Sequence, residues 1–232
     1  MTVSLNSVPY LSNQDIQQLA WNLIWNFAED EKWEISTPIP VEHIAEIYLG
    51  YQIEITDEGF FKEPAVLGGI VFEHNTIQIN GAIENQEGRY NFTVAHEIGH
   101  HSLHKGWLGS LHNQQNLFGA DNTPAILCRE VGVKPRGEVQ ADTFAAAILM
   151  PEVFVMQAYK TSYTERIDVS LSGGISPILD NPRLRAKAIA TQVIETGNFK
   201  NVSNNAMINR LLGLKLISGL EYQKNTPEPL FA

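Results

Sequence analysis

The chain has 232 residues, 44% of them apolar, so it is long and apolar enough to bury at least one sizeable core. Its single cysteine, Cys128, excludes an internal disulfide and favours a reducing compartment. A net charge of −10 argues against a protein that binds nucleic acid over its whole surface. No apolar run approaches the roughly 18 residues of a membrane span, and the first residues lack a signal-peptide pattern. We therefore expect a cytoplasmic protein with no membrane partner.

The first third of the chain predicts helices followed by a small sheet. Ser12-Asn-Gln-Asp15 resembles a capping box with Asp in place of the usual Glu, and apolar residues follow it at helical spacing. Pro40 can open a second, short helix that ends before Gly50. The alternating stretch YQIEIT then predicts a strand, and GGIVFEHNTIQIN predicts a hairpin that turns near Asn75.

The middle of the chain predicts two helices separated by a long connection. Helical spacing of apolar residues favours a helix from Phe92 to about Leu103, and the alanine-rich run Glu138–Met150 favours another. Pro151 ends the second of these and can open a further helix. Residues 105–137, rich in Gly, Pro and Asn, form either one wall of a cleft or a surface excursion.

The last part of the chain predicts a small helical segment. Asn181 and Pro182 can cap and open a helix that Gly197 stops, and Ser203 can cap a shorter one. The stretch LSGGISPILDNP before them is typical of a linker. We therefore divide the chain into a first domain, a linker and a small helical, helix-turn-helix-like segment: residues 1–165, 166–180 and 181–232.

The charge is unevenly distributed between these parts. Residues 1–160 carry 8 basic and 20 acidic side chains, whereas residues 161–232 carry 8 and 6. Within 181–215 the only acidic residue is Glu195, against six basic ones, which gives a net charge of 6 − 1 = +5. A helix-turn-helix shape with this charge would suit weak DNA contact. The alternative, which we favour, is a helical appendage that packs on the core and helps to dock a substrate.

The most distinctive stretch is VAHEIGHHSLHKG. On a helix, His96 and His100 lie one turn apart on the same face, with a gap that one Zn²⁺ can fill. Glu97 is offset from them by about 100°, which places it beside the open coordination position of the metal. This is the His-Glu-x-x-His arrangement of zinc peptidases. The alternative is a polar helix face whose histidines have ordinary hydrogen-bond partners.

A catalytic zinc site needs a third protein ligand, and the second predicted helix can provide it. Glu138 and Asp142 are four residues apart and so lie on one helix face. Glu138 can ligate the metal, while Asp142 can accept the free ring N–H of a ligand histidine. The alternative is a solvated first turn in which the helix dipole favours an acidic residue.

Two further histidines of this motif, His101 and His104, are not expected to be metal ligands. His101 points about 100° away from His100 and is a flanking residue. His104 lies on the face of His100, but three successive turns span about 12 Å, too far for one ion. It should therefore cap the helix end or pair with a carboxylate. Arg129, Tyr159 and His101 are candidates for a second donor to the oxyanion.

The stretch RYNFTVAHEIGHHSLH, followed by ILCRE and by EVQADTFAAAILMPE, resembles the ImmA/IrrE family of zinc metallopeptidases. The resemblance covers residues 89–152. It implies an α+β fold with a zincin-like metallopeptidase core, made of a small sheet and active-site helices, and a C-terminal helical segment. It also implies one Zn²⁺ per chain and the following roles: His96, His100 and Glu138 as metal ligands, Glu97 as the catalytic residue, and Asp142 at the family's acidic or amide position of the second helix.

The resemblance further implies that the chain cleaves a protein substrate in the cytoplasm. Better-known members of the family cut a helix-turn-helix transcriptional repressor and so release genes for mobile-element transfer or stress response. The chain departs from the pattern at Asn91, where many members carry an arginine, and in the length of residues 105–137.

Three hypotheses follow from the sequence. The first is a zinc endopeptidase in which Glu97 takes a proton from the activated water and passes it to the leaving amine. The second is a non-catalytic, metal-containing regulatory module that binds a repressor, or binds DNA through residues 181–215. The third is an iron oxygenase, because two histidines and one carboxylate can also form a facial triad.

Overall fold

The computed structural model describes residues 5–58, 61, 66–116, 125–129, 134–171 and 181–220. For residues 109–116 and 125–129 it describes the backbone only. The fold is α+β, with a small sheet among a larger number of helices, as the sequence predicts. The chain separates into two compact units, the first formed by residues 1–35 and 40–148 and the second by 36–39 and 149–232.

The first unit begins with a helix that starts as predicted. Helix α1 spans Asn13–Glu31, and Ser12 caps it in a complete capping box with Asp15. Its apolar face is buried at Ile16, Ala20, Ile24, Phe27 and Ala28. A short helix α2, Val41–His43, continues as a π-helical turn, Ile44–Tyr48, so the predicted second helix is also present.

One four-stranded sheet lies in the first unit. Its strands are β1 Gln52–Thr56, β2 Val66–Val71, β3 Thr76–Asn80 and β4 Ala125–Arg129. Their order is β1-β3-β2-β4, with β1 parallel to β3 and β2 antiparallel to both β3 and β4. The predicted hairpin is confirmed as β2–β3, and Asn75 at its turn adopts a φ of 47°.

Helix α3, Glu87–Asn116, is the central element of this unit and packs against β2, β3 and α1. Every residue from Thr93 to His100 is buried, so the helix is covered all round at this level rather than along one stripe. The prediction of a long irregular connection over residues 105–137 was wrong. The helix runs 116 − 103 = 13 residues past Leu103, and β4 occupies part of the rest.

Helix α4, Arg136–Leu149, follows as predicted and is buried along its second half. No single helix among the described residues is long and apolar enough to cross a membrane. By length and composition only, α4 passes that criterion when it is taken together with the next helix, across the bend between them.

The second unit is mainly helical. It contains α5 Glu152–Ser162, α6 Pro182–Thr196, α7 Asn204–Gly213 and the two-stranded parallel sheet of β5 Ile167–Asp168 with β6 Ile217–Ser218. The predicted caps Asn181 and Ser203 are both confirmed. Because α5 packs against α6, the unit begins at residue 149 and not after 165. The predicted linker therefore starts inside a folded strand, while its later part, residues 172–180, lies outside the described residues.

Candidate metal centre

The candidate site forms at a close local contact between α3 and α4. Gly99 of α3 makes this approach possible, because a Cβ atom there would lie only 3.2 Å from the Cα and carbonyl oxygen of Ala141 and 3.2 Å from the Cβ of Phe144. A glycine facing an alanine lets two helix backbones come together. As a result, the first turns of α4 face the middle of α3.

Three side chains converge at this crossing. The Nε2 atoms of His96 and His100 are 3.0 Å apart. Glu138 places Oε2 3.2 Å from the His96 Nε2 and Oε1 3.3 Å from the His100 Nε2. Neighbouring ligand atoms around a tetrahedral ion with bonds of about 2.0–2.1 Å lie about 3.3–3.4 Å apart. The buried His-His-Glu group can therefore hold a metal ion.

The carboxylate of Glu138 supports this assignment. Its two oxygens are buried, and no described residue donates a hydrogen bond to them in good geometry, although the His96 and His100 rings are near. Burial raises the pKa of Glu138, but the two histidines outweigh burial and hold it well below its usual range. A buried, ionised carboxylate without hydrogen-bond donors is costly, and a cation between the three groups would remove that cost.

His96 is oriented by a charged pair. Its Nδ1 lies 3.0 Å from Asp142 Oδ1, and the other Asp142 oxygen lies 2.7 Å from Lys134 Nζ. An ionised carboxylate only accepts hydrogen bonds, so the His96 proton is on Nδ1 and the lone pair of Nε2 faces Glu138. The structure thus places Asp142 in the position that its spacing predicts.

His100 is oriented by uncharged groups that the sequence did not reveal. Its Nδ1 lies 2.9 Å from His104 Nδ1, and the His104 Nε2 lies 3.0 Å from Gln140 Oε1. The Gln140 amide nitrogen in turn donates to the Pro9 carbonyl at 2.9 Å. His104 neither caps the helix nor pairs with a carboxylate, so both predicted roles were wrong. The signal was its i+4 spacing from His100, which brings the two rings together on one helix face.

Burial keeps the His100 and His104 rings neutral. Loss of solvent lowers the pKa of His100 to about 4, although the nearby Glu138 carboxylate opposes that shift. It also lowers the pKa of His104, against the hydrogen bond with Gln140. Neutral imidazole is the form that binds a metal.

Glu97 is buried beside these groups without joining them. Its side chain is fully buried, and no described residue donates a hydrogen bond to either carboxylate oxygen. Burial raises the pKa of Glu97 to about 8; the neighbouring His96 opposes this shift and the charge of Glu138 adds to it. A carboxyl with a pKa near neutrality can both take up and release a proton under working conditions.

Strand β2 leaves room for Glu97 only because residue 68 is a glycine. A Cβ atom at Gly68 would collide with the Cγ2 of Thr93 and lie 3.2 Å from Oε1 of Glu97. The sheet and α3 are therefore in contact at the level of the candidate catalytic group, which fixes the side chain from the strand side.

The structure gives the hydrogen-bond partners of two of the three candidates for a second oxyanion donor. The Nδ1 of His101 lies 2.8 Å from the hydroxyl of Tyr51, which binds this ring away from the three metal-facing groups. The Tyr159 hydroxyl is in the second unit, 2.9 Å from the carbonyls of both Glu165 and Leu216. Both side chains therefore have hydrogen-bond partners other than the three metal-facing groups. The side chain of Arg129 lies outside the described residues, as does that of Cys128.

No protein-family model matches the chain, and no curated protein shows significant similarity to it. The resemblance to ImmA/IrrE peptidases therefore remains a prediction that depends on the motif residues. What the structure adds is the spatial convergence of those residues.

Proposed function

We propose that the chain is a zinc-dependent endopeptidase with a zincin-like core. The observation that carries this proposal is the convergence of His96, His100 and Glu138 next to a buried carboxyl, Glu97, that has no hydrogen-bond donor among the described residues. A metal-binding group explains the first three side chains. Only a chemical role explains why a fourth ionisable group, which is not among the three ligand groups, is buried beside them.

Zinc is the metal that best suits these ligands. Two imidazole nitrogens and one carboxylate oxygen, at separations that fit a tetrahedron, form the ligand set of catalytic zinc sites in peptidases. Structural zinc sites usually have four protein ligands, whereas the group here provides three. Two histidines and one carboxylate also suit iron, so measured metal content separates the peptidase from an oxygenase.

When bound, zinc would supply Lewis-acid chemistry by making water more acidic and polarising a peptide carbonyl. Glu97 would accept a proton on a carboxylate oxygen and return it to the leaving amine. Its buried position favours this exchange, because no described side chain competes for the proton through a hydrogen bond. Asp142 and Lys134 would keep the His96 ring in the ligand orientation throughout.

The substrate that we propose is a cytoplasmic helix-turn-helix repressor, on the strength of the motif resemblance. The rival function, DNA binding through residues 181–215, receives less support. Two of the basic side chains in that range are occupied within the second unit, since Arg185 donates to the Leu171 carbonyl and Arg210 donates to the Met150 carbonyl.

The proposal is tested by expressing wild-type protein and two variants together with repressors encoded by neighbouring genes. We expect wild type to contain one zinc per chain and to produce a cut repressor fragment. Glu97→Gln should keep the zinc and lose at least about a hundredfold of the cleavage rate, the usual contribution of a general base. His96→Ala should lose both metal and cleavage. Full activity of purified Glu97→Gln would refute the assignment.

A further inference from the structure

We propose that His104 and Gln140 are positioning residues that determine which ring nitrogen of His100 carries the proton. The inference deepens the proposed function, because it concerns a ligand of the same metal site. It assigns a role to two buried polar side chains that the catalytic chemistry does not use directly. Three consecutive hydrogen bonds, from the Pro9 carbonyl through Gln140 and His104 to His100, carry this role.

The direction is set at the backbone carbonyl of Pro9, which can only accept. The Gln140 amide nitrogen must be the atom that faces it, at 2.9 Å, because the reverse orientation would place two oxygen atoms against each other. The Gln140 Oε1 atom therefore points the other way, towards His104. A single carbonyl thus fixes the orientation of an amide that would otherwise be free to rotate by half a turn.

The orientation of Gln140 determines which ring nitrogen of His104 carries the proton. Its Nε2 lies 3.0 Å from Gln140 Oε1, an acceptor, so Nε2 carries the proton. A neutral ring with its proton on Nε2 has its lone pair on Nδ1, so Nδ1 is an acceptor. His104 is only 1% exposed and Gln140 only 4%, so water is poorly placed to replace either partner.

The tautomer of His104 in turn determines the tautomer of His100. Its Nδ1 lies 2.9 Å from the His104 Nδ1 acceptor and must therefore carry the proton. The lone pair of His100 is left on Nε2, which faces the His96 Nε2 at 3.0 Å and the Glu138 carboxylate at 3.3 Å. The ligand nitrogen is thus prepared before any metal arrives, as a preorganised site requires.

The two ligand histidines are consequently held by different chemistry. His96 depends on an ionised carboxylate, Asp142, which is itself 24% exposed at the side chain. His100 depends on neutral groups that end at the segment before α1. That segment is anchored there a second time, since Arg136 Nη1 donates to the Val8 carbonyl at 3.2 Å. Residues 8 and 9 therefore take part in orienting a metal ligand from far along the chain.

The test compares two substitutions of His104 that separate hydrogen bonding from packing. Asn places its side-chain oxygen where the imidazole Nδ1 is, so His104→Asn keeps the acceptor and loses the ring. Phe keeps a ring of similar size and loses the acceptor. We expect His104→Phe to weaken zinc binding by about 10–100-fold, measured by competition with a chelator, and His104→Asn to remain within a few-fold of wild type.

A matched control lies one residue from the ligand. His101→Phe replaces a histidine of the same helix whose ring nitrogen pairs with Tyr51 and not with the site, so zinc affinity should not change. If His104 serves only to fill space, the order is reversed and Phe binds zinc better than Asn. That order, or equal affinity of all three variants and wild type, would overturn the proposal.

A second measurement reads the proton position directly in the metal-free protein. Nitrogen-15 shifts of the imidazole rings should show His100 protonated on Nδ1 and His104 protonated on Nε2. In Gln140→Leu, the His104 ring loses its anchor, so we expect a mixture of both His100 tautomers. A His100 ring protonated on Nε2 in the wild type would overturn the inference even if the protein binds zinc and cleaves its substrate. A wild type that shows these proton positions but binds no zinc would refute the metal site and not the proton positions.

Discussion

Burial of a carboxyl without hydrogen-bond donors lowers the stability of a folded protein, and for Glu97 the size of this loss depends on pH. Its pKa of about 8 in the folded chain compares with 4.5 for an exposed glutamate. The cause is first of all burial, which disfavours the charged form. The folded protein therefore holds this proton more tightly than the unfolded chain does.

The sign of the consequence follows from linkage. Because the pKa of Glu97 is raised on folding, its contribution to stability is complete below pH 4.5 and is lost as the pH rises towards 8. We predict that the free energy of unfolding of metal-free wild type falls over this range relative to Glu97→Gln, by up to about 1.4 kcal/mol per pH unit. Urea titrations of both proteins at several pH values measure the difference. If the free energies of unfolding of the two proteins change in parallel with pH, the pKa of Glu97 is the same in the folded and unfolded chains.

The metal-facing residues could be predicted from the sequence, but the residues that orient His100 could not. The spacings of His96 with His100 and of Glu138 with Asp142 each depend only on helix geometry, so the relevant faces were predictable. The partner of His104 was not, because Gln140 lies 36 residues away and is an ordinary helix residue in sequence terms. Which amide meets which ring depends on how two helices cross, and no local pattern encodes that.

At the scale of elements, the predicted caps and the predicted stops at Pro151 and Gly197 are confirmed, whereas the extent of α3 is not. Ser12, Asn181 and Ser203 all cap the helices predicted from them, since a cap is a local hydrogen bond. The end of α3 was misjudged because Gly106 was taken as part of a loop. In the structure the helix continues through this residue to Asn116. Strand β4 was missed for a related reason, since its pairing with β2 is a long-range contact.

The crossing of α3 and α4 gives a prediction at this scale. Gly99→Ala would place a methyl group 3.2 Å from the Ala141 backbone, which must then move by a few tenths of an ångström. We expect zinc affinity to fall several-fold and the thermal midpoint to decrease, because the shift moves Glu138 away from the two histidines. Affinity for zinc and the midpoint of thermal unfolding are the measurements.

Gly106→Ala is the matched control for that experiment. It lies in the same helix, and a Cβ atom there would have no neighbour within 4 Å. Both substitutions gain the same helix propensity, of about 0.5–1 kcal/mol, so Gly106→Ala should raise stability and leave zinc affinity unchanged. If Gly99→Ala behaves like Gly106→Ala, the close approach of the helices is not needed for the site.

At the scale of the whole molecule, the second unit is not a continuous piece of chain. Residues 36–39 belong to it, although they lie between α1 and α2 in sequence. Ile39 is fully buried, and its carbonyl accepts a hydrogen bond of 3.0 Å from the buried Asn201 amide. Thr37 donates from its hydroxyl to the Gly197 carbonyl at 2.5 Å and accepts from the Asn198 amide at 2.6 Å.

This arrangement determines how DNA binding by the C-terminal segment can be tested. A fragment that begins at residue 175 would lack both α5 and residues 36–39. Loss of DNA binding by that fragment would then reflect loss of fold. The test has to use the intact chain, in which the basic residues of 181–215 are presented on a folded unit.

We expect the second unit to depend on residues 36–39 for its stability. A fragment of residues 149–232 leaves the Asn201 amide and the Gly197 carbonyl without the partners that 36–39 supply, and it exposes the apolar surface that covers Ile39. We expect it to show no cooperative thermal transition. In the intact chain, Asn201→Ala should cost about 1–3 kcal/mol, because it leaves a buried carbonyl unsatisfied. Gln192→Ala, which removes only an exposed hydrogen bond to Thr196 within α6, should change stability by less than about 0.5 kcal/mol. A fragment that unfolds cooperatively with the midpoint of the intact chain would show that residues 36–39 are bound to the second unit without supporting it.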